Sequence, residues 1–123
     1  MLKGLLGFAC IVEIATAVAA IVAPQAVVAL LLGEDVSGVG VAVARCFGVA
    51  LLALGLACWP IAAQTRGPAL RAMLVYNAAI ALYLAHIFAF RHVGGVLLWP
   101  AVALHAAVAA LLVAAWRRSK ATG

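Results

Sequence analysis

The chain has 123 residues, 70% of them apolar and only 9% charged, with a mean hydropathy of +1.30. Soluble domains average roughly 45–50% apolar and about 25% charged, so this composition excludes a water-exposed globular domain and makes lipid the expected solvent. Eight Lys and Arg against three Asp and Glu give a formal charge of +5, but the basic residues are scattered singly between apolar runs. They form no stripe or patch, which argues against nucleic acid as a partner.

The first expected span is Leu5–Ala23, close to the roughly 20 apolar residues that a bilayer demands. Lys3, the apolar run and its Ala-rich end fit a signal peptide loosely. Glu13 in mid-run and Pro24 straight after Ala23 argue instead for a retained span. Pro24 lacks a backbone donor and suits the first turn of a new helix. Residues 24–33 are apolar but too short to span. They are expected to form a short interfacial helix or a kinked continuation, closed by Gly33. Glu34-Asp35-Val36-Ser37-Gly38 is the only acidic, turn-forming stretch.

The second span is expected over Val41–Ala63 and is broken by Gln64-Thr65-Arg66-Gly67-Pro68. The third covers Ala69–Phe90, followed by a tight connection through Arg91-His92 and Gly94-Gly95. The fourth covers Val96–Trp116, after which Arg117, Arg118 and Lys120 stop transfer. Each run is long, rich in Ala and Leu and without alternation, unlike the segments of about 10 residues in a membrane barrel. Backbone pairing within the segment selects helix. The expected fold is therefore all-α, a single four-transmembrane-helix bundle. Gly40, Ala44 and Gly48 form a row of small residues that allows close helix approach.

Orientation follows from the Lys/Arg count. With a cytoplasmic N-terminus, Lys3, Arg66, Arg71, Arg117, Arg118 and Lys120 lie inside, while Arg45 and Arg91 lie outside. Both termini are expected in the cytoplasm. Trp59, Trp99 and Trp116 fall near span ends, where indole rings settle.

The polar residues within the spans carry the functional signal, because a charge at mid-bilayer costs at least about 2.5–3.5 kcal/mol unless it faces the bundle interior. At about 1.5 Å of rise per residue, Glu13 lies about 12 Å from the cytoplasmic end of its span, Asn77 about 12 Å, and His105 about 14 Å from the outer end. All three reach the midplane on different helices. They are read either as a proton-linked or ligand-binding centre, or as interhelical hydrogen bonds that hold the bundle together.

A second layer lies nearer the outer face. Tyr76, Tyr83, His86 and Phe90 share a face of the third span. Arg45, Tyr83 and His86 are expected to line an outward pocket for an anionic or polar head group. Otherwise the aromatics pack, and Arg45 snorkels or pairs with Glu34 or Asp35. No cofactor or metal is expected: His86 and His105 differ in depth by about 8 Å, and Glu13 with His105 lacks a third ligand. Cys10, Cys46 and Cys58 form no CxxC and are read as small buried apolar residues. No Ser/His/Asp arrangement or phosphate-cradling loop supports an enzyme.

Arg45-Cys46-Phe47-Gly48 with Leu54-Gly55-Leu56, together with Pro24, the apolar turn and the acidic loop, resemble small bacterial four-helix membrane proteins of the DoxX-like kind. The likeness covers the first half of the chain. It implies a four-helix bundle in a bacterial inner membrane and an accessory role beside a redox enzyme, and it transfers no catalytic residue. A Glu in the first of four short helices is also similar to small multidrug transporters, whose loop and second-span patterns are absent here. Two functions follow as expectations. One is a binding or accessory membrane protein for an apolar or amphipathic ligand, with a larger complex or a second copy as partner. The other is a proton-coupled small transporter that uses Glu13, working as a dimer.

Overall fold

The computed structural model describes residues 1–61 and 66–121, with side chains as far as Arg118. Every element among the described residues is helical: α1 (Leu2–Val22), α2 (Pro24–Leu32), α3 (Val39–Ala57), α4 (Arg66–Arg91) and α5 (Leu98–Ala121). Four of them, α1, α3, α4 and α5, are long and apolar enough to cross a membrane.

Proline sets several of the helix boundaries. Ala23 leaves helical geometry (φ −132°, ψ 60°), because the residue before a proline is pushed out of the α region. Pro24 then starts α2 at its first position, so Pro24–Leu32 is a separate helix rather than a kinked continuation of α1. Gly33 ends it in the left-handed region at φ 74°, where the absence of Cβ removes the usual penalty. The second expected span overran its helix: α3 stops at Ala57, capped by Cys58. Pro60 displaces Trp59 from helical geometry in the same way. The end of that span at residues 62–63, and Gln64-Thr65 of the expected loop, lie outside the described residues. Arg66-Gly67-Pro68, expected as loop, is the first turn of α4, where proline loses no intrahelical bond. At the far end of α4, His92 takes a positive φ of 54° and donates its N–H to the Phe88 carbonyl.

Buried positions recur in steps of three and four. They are Leu6, Cys10, Glu13, Ala17 and Ala20 on α1, with Gly48, Leu51 and Gly55 on α3. On α4 they are Leu70, Met73, Asn77, Ala81 and Leu84. Such spacing keeps one seam of each helix turned to its neighbours. α1 packs most extensively on α3, and α4 on α5; the two pairs meet where α1 touches α4 and α5. The α1–α3 approach runs through Gly48 and Gly55: a Cβ on Gly48 would stand 3.0 Å from the Ala17 carbonyl oxygen, and one on Gly55 2.7 Å from Ile14. Gly40 faces the Val36 side chain instead, so the small-residue row that matters is Gly48–Gly55 and not Gly40–Ala44–Gly48.

Further contacts tie the helices together at each end of the bundle. Near the termini, Leu6, Ala9, Cys10, Leu70, Met73, Val108 and Leu112 form an apolar plug. At the opposite end the carbonyls of Leu31 and Leu30 on α2 accept the N–H groups of Gly95 (3.0 Å) and Leu97 (2.8 Å). These are orphan carbonyls at a helix end, satisfied by the backbone that leads into α5. Gly95 lies directly against the Leu30 carbonyl, so this clasp leaves no room for a side chain.

Candidate functional site

Glu13, Asn77 and His105 meet where the two helix pairs join. Glu13 and Asn77 are each 1% exposed. Asn77 sits on the buried row of α4 and donates its Nδ2 back to the Met73 carbonyl one turn earlier, at 2.9 Å. That bond orients the amide, so Oδ1 faces α5 and lies 2.8 Å from His105 Nδ1. An amide oxygen only accepts, and so His105 carries its proton on Nδ1 in this arrangement. The same Nδ1 stands 3.8 Å from Glu13 Oε1, beyond hydrogen-bond length.

Tyr76 completes the group. Its hydroxyl approaches the Glu13 carboxyl, and its ring stands edge-on to His105, 5.8 Å between centroids. Among the described residues Glu13 Oε2 has no hydrogen-bond partner. The centre therefore gives Asn77 a partner at both Nδ2 and Oδ1 and His105 one at Nδ1, while among the described residues one buried carboxyl oxygen of Glu13 is unmatched. By helical period Tyr76 falls on the face of Tyr83 and His86. Tyr76 is the neighbour of Asn77 in sequence and at nearly the same depth, and that adjacency is the signal that identifies it.

The outer layer is rearranged from expectation. Arg45 does not join Tyr83 and His86. Its Nε donates to the Ile21 carbonyl at 3.3 Å, near the end of α1, where the break at Ala23 leaves carbonyls without helical partners. Tyr83 and His86 line a depression of about 390 Å³ with Leu32, Ile87, Arg91 and Val93. His86 stacks at a tilt on Phe90, with 4.7 Å between centroids. Arg91, read from sequence as part of a connection, supplies the cation instead; its spacing of four from Ile87 and eight from Tyr83 puts all three on one helical face. Cys10 and Cys58 are buried as expected of small apolar residues, but Cys46 is exposed.

No family model matches the chain, and no curated protein or solved structure matches it either.

Proposed function

We propose that this chain crosses a membrane four times with both termini in the cytoplasm, and that it is a proton-coupled small transporter in which Glu13 is the proton-carrying group. Membrane insertion is supported by the large apolar side chains left exposed on the long helices, among them Val43, Phe47, Val75, Leu82 and Leu111. An apolar surface this extensive needs a cover.

The observation that carries the functional reading is the unmatched Glu13 Oε2 at the junction of the helix pairs. Interhelical cement satisfies its members. Here the imidazole N–H that could neutralise Glu13 is committed to Asn77. A bare carboxylate at this depth costs at least about 2.5–3.5 kcal/mol, so the carboxyl carries a proton, exchanges one with His105 3.8 Å away, or receives a cationic guest. Its location matters as much as its chemistry. The junction is the less extensive contact between two firmly packed pairs, so relative movement of the pairs would expose Glu13 first.

Acid–base infrared difference spectra of the protein in liposomes test this. The expected result is a carboxylic acid band that exchanges in D₂O and is missing in Glu13→Gln. Voltage-driven proton uptake by the same liposomes should also be lost in that variant. Full uptake by Glu13→Gln would overturn the reading.

A second reading is favoured by the depression beside Arg91. In it the chain is a binding protein or accessory subunit for an amphipathic ligand, the role that the DoxX-like resemblance implies. A larger membrane complex or a second copy is then the partner, and Glu13→Gln leaves binding intact.

A further inference from the structure

We infer that the depression between the ends of α2 and α4 is a site for an anionic lipid-like amphiphile, held at its head group by Arg91. The inference names the ligand class for the binding reading given above, and it is independent of whether Glu13 carries a proton.

The depression has about 390 Å³ of space and is lined by Leu32, Tyr83, His86, Ile87, Arg91 and Val93. Three of the six side chains are aliphatic and none is acidic. Glu34 and Asp35 follow soon after Leu32 in the chain, yet neither lines the depression. Among the described residues no carboxylate pairs with Arg91. An unpaired guanidinium above an aliphatic wall is the complement of a phosphate or carboxylate head on an apolar tail, because its fork binds such oxygens two at a time.

Two features oppose the charge of Arg91 and neither cancels it. It stands in the last turn of α4, where the helix end carries roughly half a negative charge, against one full positive charge. The carbonyls of Leu30 and Leu31 at the end of α2 are already taken by Gly95 and Leu97. The Tyr83 hydroxyl and the His86 ring nitrogens belong to the same lining and suit the glycerol or sugar part of a head group.

The test uses the full chain in a neutral detergent, with short-chain phosphatidylglycerol, short-chain phosphatidylcholine and inorganic phosphate as probes, followed by native mass spectrometry. Phosphatidylglycerol should bind in preference to phosphatidylcholine, and inorganic phosphate should not compete. Arg91→Gln should weaken phosphatidylglycerol about tenfold, the loss expected for one charge-assisted contact. Arg45→Gln, an outer arginine away from the depression, should leave binding unchanged. Ile87→Trp fills the space without altering charge and should block the lipid, which keeps the test decisive if Arg91→Gln folds poorly. Equal binding of the two lipids, or equal losses from Arg45→Gln and Arg91→Gln, would overturn the head-group assignment alone. Binding of neither lipid would overturn the binding reading as well. Competition by inorganic phosphate would make the site one for a free anion and overturn the lipid proposal.

Discussion

Asn77 uses both ends of its amide, giving Nδ2 to the Met73 carbonyl and presenting Oδ1 to His105. It therefore decides which nitrogen of His105 holds the proton, and so which group is left to answer Glu13. Interhelical hydrogen bonds within membranes are worth about 0.6 kcal/mol on average and about 1.7 at most. Asn77→Ala should accordingly lower stability by about 1–2 kcal/mol, since it also leaves the partly buried imidazole N–H without its acceptor. A double-mutant cycle with His105→Ala, read from thermal unfolding in detergent, should show coupling between the two sites. Strict additivity would mean that the bond is not formed. The three members of the centre were legible in the sequence because polar residues are rare in these runs and helical rise converts position into depth. Their partners were less so. Tyr76 shares a helical face with Tyr83 in projection, and only the arrangement of α1 against α4 separates their roles. Arg45 could not be assigned from sequence because its acceptor exists only through the break in α1 at Ala23.

At the scale of the helices, composition and proline positions carried most of the information. Four long apolar runs became α1, α3, α4 and α5, and Pro24 became the start of α2. Hydropathy alone carries the second span past Pro60, but the steric effect of proline on the preceding residue is local and strong and ends α3 sooner. Which small residues form a seam was not legible, because an Ala-rich chain offers many such rows and only the packing selects one. The α1–α3 seam provides a direct check. A Cβ at Gly48 would meet the Ala17 carbonyl oxygen at 3.0 Å and Ala20 Cβ at 3.1 Å. Gly48→Leu should therefore destabilise the chain by the about 1–3 kcal/mol typical of overpacking. Among the described residues nothing lies within 4 Å of a Cβ added at Gly7, so Gly7→Ala should be neutral or gain about 0.5–1 kcal/mol of helix propensity. Melting temperatures of the two variants in one detergent compare them, and a Gly48→Leu protein as stable as Gly7→Ala would contradict the seam.

For the whole molecule, the fold places the start of α1 beside the last turns of α5 and the acidic loop at the other end. Arg118 reaches the sulfur of Met1 at 3.7 Å, while Glu34 and Asp35 follow the α2 end that is clasped to the start of α5. Six Lys and Arg belong to the terminal end by sequence, against Arg45 and Arg91 at the other. Short loops obey this asymmetry during insertion, so the terminal end should face the cytoplasm. The native cysteines Cys10, Cys46 and Cys58 can be replaced by alanine to test it. In that background Ser37→Cys should react with a membrane-impermeant maleimide on intact cells, and Arg118→Cys only after lysis; both side chains at these positions are exposed. Reversal of the two results would invert the assignment. Labelling of both on intact cells would mean that six basic residues against two are not enough to fix one orientation. The result bears on both proposed sites, because it decides whether the depression at Arg91 opens outside the cell and from which side protons must pass the apolar plug to reach Glu13.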